Sequence, residues 1–250
     1  MGFKVIIPAR FASQRLPGKP LLDIVGKSMV QRVYEQALKS LANDVVVAVD
    51  DHRVYDAVVG FGGNVCMTSQ DHPSGTDRIQ EVASIFGYED NQIVVNIQGD
   101  EPLIPPEVIN QVAANLELHQ VQVATLSEPI ECLEDFVNPN IVKAVTGEDE
   151  CALYFSRAPV PWPRDSKARS LPTGIRAQKH LGIYAYRVSF LNQYVTWSPA
   201  AIEEVEKLEQ LRILIHGVRI HTGQSCMPIP PGVDTEQDLQ RVIEFVEQDG

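Results

Sequence analysis

The chain has 250 residues, with 21 Lys and Arg against 33 Asp and Glu, which gives a net charge of −12. Hydrophobic residues make up 44% and charged residues 22%, a balance typical of a folded enzyme rather than a disordered chain. A strongly acidic chain repels phosphate backbones, which argues against nucleic-acid binding. The longest aliphatic run, at 45–49, is too short for a membrane span, and the first residues do not resemble a signal peptide. The four cysteines form no CxxC pair. We expect a cytoplasmic protein with no membrane or nucleic-acid partner.

Short aliphatic runs alternate with amphipathic stretches through the first half of the chain. Apolar residues at helical spacing predict helices near 29–41, 78–86 and 107–118. Five runs predict strands buried on both faces, as in a parallel sheet: KVIIPA, VVVAV, VCMT, IVVNIQ and VQVATL. This alternation predicts an α/β fold with a doubly wound, mostly parallel sheet. Ligands of such sheets bind beyond the carboxyl ends of the strands, so the loops that follow strands are the candidate site.

Prolines interrupt the pattern between about 130 and 180, and residues 164–176 predict an exposed, mobile loop. We expect a single domain over 1–250 with an inserted arm in this region. HLGIYAYR then alternates as a strand that places His180, Gly182, Tyr184 and Tyr186 on one face.

Two helices are predicted after that strand. Ser198-Pro199 predicts the start of the first, which ends at Gly217. Asp234 or Thr235 would cap the second. The buried stripe of the first helix would be Ile202, Val205, Leu208, Leu211 and Ile215.

The loop after the first strand, PARFASQRLPGKPL, carries Arg10, Arg15 and Lys19 in a stretch without an acidic residue. Such a loop can bend round a polyphosphate whose oxygens meet the cations. A solvated basic loop is the alternative, but the position after the first strand favours an anionic ligand. The glycines at 60–63 precede a strand, and the GKS at 26–28 lacks the first glycine of a P-loop, so neither is a phosphate motif.

Carboxylates follow a second buried strand, in IVVNIQGDEP. Gln98, Asp100 and Glu101 lie directly after it, and Gly99 allows close approach of a ligand. Mg²⁺ prefers one or two carboxylates together with phosphate oxygens. Asp100 is therefore a candidate metal ligand, with Asp234 as the second. A turn is the alternative for Asp100 and a helix cap for Asp234, and the spacing leaves open whether the two meet.

A third polar set lies in the second half of the chain. Glu209 and Arg212 would face the apolar side of their predicted helix, where a charged group needs a salt bridge or a polar ligand. A Glu209–Arg212 pair and a sugar site are equal alternatives. His180 and Tyr184 share a strand face and are equally compatible with core packing. No Ser-His-Asp elbow or HExxH motif supports acyl transfer or zinc hydrolysis.

Seven blocks, taken together, resemble the 3-deoxy-manno-octulosonate (Kdo) cytidylyltransferases, also called CMP-Kdo synthetases. They are VIIPARFASQRLPGKPL, DHPSGTDR, VNIQGDEP, ALYFSRAPVPW, KHLGIYAYR, EKLEQLR and GVDTEQDL, in the family's order over nearly the whole chain. Acylneuraminate cytidylyltransferases share the fold and the early basic loop, but the combination of QGDEP, HLGIYAYR and EKLEQLR resembles the Kdo enzymes.

The resemblance implies a nucleotide-diphospho-sugar transferase-like, Rossmann-like fold. It implies a homodimer in which the inserted arm takes part. It also implies the reaction of CTP with Kdo to give CMP-Kdo and diphosphate, with Mg²⁺ as cofactor, for lipopolysaccharide biosynthesis. Two alternatives stay open: a sister enzyme for another sugar acid, such as 8-amino-Kdo, and a catalytically silent nucleotide-binding module. Retention of both candidate metal carboxylates argues against the silent module.

The resemblance also implies a role for individual residues. Arg10 and Lys19 would hold the triphosphate with Arg15 nearby, and together with the metal ligands Asp100 and Asp234 they are the candidate catalytic residues. Asp100 would also contact the nucleotide, as would residues of the DHPSGTDR segment, namely Ser74, Gly75 and Arg78. The sugar acid would contact Gln98, Arg157, His180, Tyr184, Glu209 and Gln210.

Overall fold

The computed structural model describes residues 2–12, 16–167, 169–172 and 177–249. Its strands are β1 (Phe3–Ala9), β2 (Asp23–Ile24), β3 (Lys27–Ser28), β4 (Asp44–Val49), β5 (Val65–Met67), β6 (Ile93–Asn96), β7 (Val123–Pro129), β8 (Lys143–Thr146), β9 (Ala152–Ser156), β10 (Gln178–Arg187) and β11 (Ile220–Gln224). Its α-helices are α1 (Met29–Leu38), α2 (His52–Gly60), α3 (Gly75–Ile85), α4 (Pro106–Leu118), α5 (Leu133–Val137), α6 (Val188–Tyr194), α7 (Ala201–Glu206), α8 (Gln210–Ile215) and α9 (Glu236–Asp249). Within these ranges no helix has the length and apolar character that crossing a membrane requires.

Nine of the strands in the described ranges form one sheet, in the order β11-β7-β10-β6-β1-β4-β5, with β8 added to β10 and β9 to β8. β6, β1, β4 and β5 run parallel to one another, and so do β7 and β11. β10 is antiparallel to its three partners, β6, β7 and β8. The predicted α/β fold with a mostly parallel sheet is confirmed, and all five aliphatic runs are strands.

Both faces of the central strands are covered, which is why these strands consist of β-branched residues rather than alternating polar and apolar ones. Val5, Ile6 and Ile7 of β1 are all completely buried. Val5 and Ile7 pack with α1 and α4 on one face, whereas Ile6 packs with α3 and α6 on the other. The two helical layers therefore leave the carboxyl ends of β1 and β6 as the accessible edge of the sheet.

The region between 130 and 180 is attached to the main sheet. It contributes α5, β8 and β9, and β8 pairs with β10 at its start. The predicted loop at 164–176 is described only in part, because Ala168 and residues 173–176 lie outside the described ranges. Arg164 and Lys167 are exposed, as expected. A role for this region in a dimer stays a prediction.

The helix predicted from Ser198 is wrong in its start and in its continuity. α7 begins at Ala201, and the left-handed backbone of Lys207 (φ +53°) separates it from α8. The break interrupts the 3.6-residue period, so one stripe cannot continue through both helices. Val205 and Ile215, expected in the buried stripe, are 84% and 58% exposed. Glu209 consequently lies immediately before α8 rather than within a long helix.

Candidate active site

A cavity of about 690 Å³ opens at the carboxyl ends of β1 and β6. Its lining comes from the loop after β1, the start of α3, the loop after β6, one face of β10 and the segment that joins α7 to α8. The polar and charged residues among them are Arg10, Lys19, Ser74, Thr76, Asn96, Gln98, Asp100, Arg157, His180, Tyr184, Tyr186, Tyr194, Lys207, Glu209 and Gln210. The cavity lies where the sequence predicts the site, beyond the carboxyl ends of the strands.

Two carboxylates meet at Lys19, at one end of this cavity. The Lys19 Nζ lies 2.5 Å from Asp100 Oδ2 and 3.2 Å from Asp234 Oδ1. The side chain of Lys19 is only 13% exposed, so its ammonium is held between the two acids rather than in solvent. The fold thus brings together two residues that are far apart in the sequence, and their oxygens form a donor set of the kind that Mg²⁺ takes in proteins.

Thr235 caps the last helix. Its hydroxyl accepts a hydrogen bond from the Asp238 amide at 3.2 Å, and its own amide donates to the Asp238 carboxylate at 2.8 Å. This reciprocal arrangement satisfies the first amides of α9. The side chain of Asp234 instead accepts a hydrogen bond from Lys19. Of the two caps considered for this helix, the structure assigns the role to Thr235.

The start of the basic loop is fixed by hydrogen bonds to neighbouring loops. Arg10 Nη2 donates to the His72 carbonyl at 3.2 Å, and the Phe11 amide donates to the Asp50 carboxylate at 3.1 Å. Arg10 is half-buried and lines the cavity, so its remaining guanidinium donors can meet an anion there. Arg15 lies outside the described residues.

The DHPSGTDR segment reaches the cavity through its middle. Ser74 caps α3 by accepting from the Asp77 amide at 3.2 Å, and Ser74, Gly75 and Thr76 line the cavity. The positive end of an eleven-residue helix therefore faces the ligand space. Arg78 does not line the cavity. It is fully buried and donates to Asp50 at 3.0 Å and to Thr68 at 2.6 Å.

The opposite part of the cavity is built on β10 and β6. His180, Gly182, Tyr184 and Tyr186 all line it, which confirms the predicted shared face. The Gln98 side chain donates to the Gly182 carbonyl at 3.2 Å. Burial lowers the pKa of His180 to about 3, so its imidazole is neutral near pH 7. A neutral imidazole has one donor and one acceptor nitrogen, which suits sugar hydroxyls.

The segment between α7 and α8 presents Glu209 and Gln210 to the cavity. Thr76 Oγ1 donates to Glu209 Oε2 at 3.2 Å, and burial raises the pKa of Glu209. The Glu209–Arg212 pair, one of the two equal alternatives, does not form, because Arg212 forms its ion pair with Glu203 instead, at 2.5 Å. Glu209 and Arg212 both follow the break at Lys207 and stay one helical turn apart, since the Arg212 amide donates to the Glu209 carbonyl at 3.1 Å, but their side chains have different partners. A sugar site at Glu209 stays a prediction.

Arg157 lies at the edge of the same cavity, and its guanidinium donates to several backbone carbonyls. Its Nε donates to the Glu206 carbonyl at 2.7 Å and its Nη1 to the Pro139 carbonyl at 3.0 Å. The Arg157 amide also donates to the Glu206 carboxylate at 2.9 Å. Arg157 therefore holds the end of α7 in place and adds a positive charge to the cavity wall.

Five polar residues that line the cavity are not among the site residues expected from the sequence: Thr76, Asn96, Tyr186, Tyr194 and Lys207. Asn96 is buried in β6. Tyr186 and Tyr194 line the cavity, and each ring packs against the ring of Phe190. The alternation of HLGIYAYR places Tyr186 on the lining face, but no sequence signal points to Tyr194. The unexpected Asn within an aliphatic strand is the signal that identifies Asn96, because a buried amide needs a polar partner.

The fold and this site together define a nucleotide-binding transferase of the α/β class. Arg10, Lys19 and a carboxylate pair occupy one end of the cavity, and neutral hydrogen-bonding side chains occupy the other together with Arg157, Lys207 and Glu209. A family model described as "Cytidylyltransferase" matches residues 4–220.

Individual relatives narrow this class. The chain is 56% identical over 252 residues to a 3-deoxy-manno-octulosonate cytidylyltransferase of Cellvibrio japonicus, covering 99% of both chains, and 54% identical to one of Vibrio vulnificus, covering 98% of both. The solved structure of a CMP:2-keto-3-deoxy-manno-octonic acid synthetase complexed with CTP matches with a TM-score of 0.91 and 42% identity over all of both chains. The chain therefore belongs to the family of 3-deoxy-manno-octulosonate cytidylyltransferases.

Proposed function

We propose that the protein transfers the cytidylyl group of CTP to 3-deoxy-manno-octulosonate, giving CMP-Kdo and diphosphate, and that it requires Mg²⁺. The observation that carries the proposal is the convergence of Asp100 and Asp234 on one cation, at the end of the cavity that also holds Arg10. Membership of the family and the likeness to a synthetase complexed with CTP support the same reaction.

The triphosphate belongs at the cationic end of the cavity. Arg10, Lys19 and the start of α3 supply positive charge there, and these groups offset the repulsion between two anionic substrates. Asp100 and Asp234 would hold Mg²⁺, which when bound polarises the phosphate oxygens and stabilises charge on the leaving diphosphate. For phosphate and metal to enter, the Lys19 ammonium has to shift from the carboxylates towards a phosphate oxygen.

The sugar acid belongs at the other end, where its anomeric hydroxyl attacks the α-phosphorus. Neutral His180, Gln98 and Gln210 offer donors and acceptors to sugar hydroxyls, and Glu209 offers a carboxyl group with a raised pKa. Arg157 and Lys207 add positive charge for the sugar carboxylate. Positioning of the two substrates supplies much of the rate enhancement, because the attack itself needs no covalent intermediate.

The test uses the purified protein, CTP, Mg²⁺ and a panel of sugar acids that includes Kdo and its 8-amino form, with release of diphosphate as the readout. Asp100→Asn and Asp234→Asn should keep the melting temperature close to that of the wild type but lose most of their activity, because an amide lacks the charge that a hard cation prefers. Thr235→Ala is the matched control, since it removes the cap of α9, at a cost of about 1 kcal/mol, and leaves the carboxylates in place.

The results separate the alternatives. Diphosphate release with 8-amino-Kdo but not with Kdo would assign the sister activity, and no release with any sugar acid would leave a nucleotide-binding module. Full turnover by either Asn variant would remove that residue from the metal site.

We also propose a cytoplasmic location and a homodimer. CTP is available in the cytoplasm, and the sugar product would serve lipopolysaccharide synthesis from there. β9 has β8 as its only strand partner within the described part of the chain, and Leu153 on it is 65% exposed. An apolar residue on such a strand suits contact with a second copy. Sedimentation at a range of concentrations would test the dimer, and a monomer throughout would contradict it.

A further inference from the structure

A second group of metal-ligating side chains lies at the opposite edge of the sheet from the cavity, at the amino ends of β7 and β11. His119 follows α4, Glu150 lies in the turn between β8 and β9, and His221 is the second residue of β11. Glu150 Oε2 is 3.5 Å from His221 Nε2 and 3.9 Å from His119 Nε2. The two imidazole rings stack with their centroids 3.7 Å apart.

His221 lacks the strong hydrogen bonds that a buried imidazole normally has. Its side chain is only 1% exposed. Its Nδ1 has no hydrogen-bond partner among the residues that the structure describes, and its contact with Glu150, at 3.5 Å, is at the long limit for a hydrogen bond. Buried polar side-chain atoms in proteins almost always have a partner. The nitrogen that faces Glu150 is Nε2, and a metal ion bound there would replace this long contact with a strong bond.

The backbone fixes Glu150 beside the two histidines. Thr222 of β11 donates its amide to the Glu150 carbonyl at 2.8 Å, and Cys151 forms a β-bridge with His221. Glu150 itself adopts a left-handed backbone conformation, with φ +55°. That conformation is uncommon for residues other than glycine, asparagine and aspartate. The main chain of Glu150 is therefore held next to the edge strand, and its carboxylate lies beside the two imidazoles.

We propose that His119, Glu150 and His221 bind one transition-metal dication, with Zn²⁺ as the ion that fits the donors best. Two imidazoles and one carboxylate with an open fourth position are a known zinc ligand set, and imidazole favours Zn²⁺ over Mg²⁺. The ligand atoms all lie within 4.8 Å of one another, whereas tetrahedral ligands at ~2.0–2.2 Å from a shared ion are about 3.3–3.6 Å apart, so the ligand atoms have to approach one another by about 1 Å.

Closing the site requires small movements of its two accessible members. The side chains of His119 and Glu150 are 30% and 61% exposed, so both have room to move towards the buried His221. The His119 ring has to tilt out of its stack, because the lone pairs of two parallel rings do not converge on one point. The bound ion would then join the end of α4, the β8–β9 turn and the edge strand β11.

Co²⁺ is the probe, because it replaces Zn²⁺ at such sites and has visible d–d bands that report nitrogen ligation. Metal-stripped protein carrying Asp100→Asn and Asp234→Asn is titrated with Co²⁺ in excess Mg²⁺, so that the cavity does not contribute. We expect one Co²⁺ per chain, and a melting temperature that rises when Zn²⁺ is added. His119→Ala and Glu150→Gln should each weaken Co²⁺ binding by at least ~10-fold, since the loss of groups that merely support a ligand already has that effect.

His52→Ala is the control, because this exposed histidine of α2 is not part of the cluster. Both cluster variants change accessible side chains, so a folding failure is not expected, and circular dichroism checks it. Absence of visible bands, or equal weakening in the His52→Ala control, would overturn the proposal. Activity of the otherwise wild-type His119→Ala protein in Mg²⁺ should match that of the unsubstituted protein, which keeps this test separate from that of the proposed function.

Discussion

The ion pair between Glu203 and Arg212 joins α7 to α8, and we expect its loss to destabilise the protein. Arg212 Nε donates to Glu203 Oε2 at 2.8 Å and Nη2 donates to Oε1 at 2.5 Å, a bidentate arrangement. The two side chains are 4% and 8% exposed. Because the pair lies just beside the Lys207 break, it also holds Glu209 and Gln210 at the cavity. Arg212→Met removes the charge and keeps most of the side-chain volume.

The expected cost follows from the burial of the carboxylate that remains. Removing one member of a buried ion pair typically costs about 3–5 kcal/mol. Glu203 keeps a hydrogen bond from the Ala200 amide at 3.0 Å, so we expect the lower end, about 3 kcal/mol. Urea denaturation followed by circular dichroism measures the free energy of unfolding. Glu204→Gln is the control, because it breaks an exposed contact with Lys207 and should cost less than about 1 kcal/mol.

The loss of unfolding free energy in Arg212→Met should become smaller at low pH. Burial by itself raises the pKa of Glu203, but the hydrogen bonds from Arg212 and from the Ala200 amide outweigh it, so the pKa lies below the usual 4.5. A carboxyl group with a lowered pKa stabilises the fold above its unfolded pKa, and this stability is lost as the pH falls through the folded value. The difference between wild type and Arg212→Met should therefore shrink below about pH 4.5. A cost under 1 kcal/mol, or one that is the same at pH 7 and pH 3, would refute this reasoning.

Two further predictions concern the cavity itself. A Cβ added at Gly99 would lie 2.7 Å from the Pro8 carbonyl oxygen, so Gly99→Ala should push the loops after β1 and β6 apart and lower kcat/KM for CTP. Gly60→Ala is the control, because a Cβ at Gly60 meets nothing within 4 Å. Equal kinetics for the two variants would contradict the close approach at Gly99. Because burial lowers the pKa of His180 to about 3, NMR should find its ring neutral at pH 5.5. The free energy of unfolding should fall by up to ~1.4 kcal/mol per pH unit as the pH drops from 6.5 towards 3, because the unfolded chain then binds a proton that the folded one does not. A ring that titrates near pH 6.5 would contradict this prediction.

Much of the fold could be predicted from the sequence, because the buried strands have the composition of a doubly wound sheet. β1, β4, β5, β6 and β7 each coincide with an aliphatic run. The insertion of β10 between β6 and β7, antiparallel to both, could not be predicted, since the alternation of HLGIYAYR fixes a strand but not its neighbours.

The sequence predicts those site residues that directly follow a strand, but not those whose position depends on packing between distant segments. Asp100 could be proposed because it directly follows β6. Its approach to Asp234 depends on Val233, whose amide donates to the Asp100 carbonyl at 2.8 Å, a contact between distant segments. The break at Lys207 was missed because apolar spacing continues through it in the sequence. Tyr194 was missed because its position on α6 is set by packing and not by any local pattern.

The position of β10 has a consequence for folding during synthesis. β1, β4, β5 and β6 are complete by residue 96 and pair only with one another and with β10. β7 ends at Pro129, but neither of its partners, β10 and β11, has yet been made. About 50 residues separate β7 from β10, which is several seconds of translation at ~5–20 residues per second. During that interval the edges of β6 and β7 are unpaired, and unpaired edges promote aggregation.

The cavity follows the boundary between the portion of the chain made early and the portion made late. Arg10, Lys19 and Asp100 lie on the early portion, whereas His180 and Glu209 are made only after the segment between β7 and β10 has been translated. A ribosome-bound chain arrested before residue 178 therefore has Arg10, Lys19 and Asp100 but neither Asp234 nor the wall that β10 and the segment between α7 and α8 supply. Insertion of β10 pairs the open edges of β6 and β7 and adds the first part of that wall, so the time before this insertion is the time in which the nascent chain needs protection from other chains.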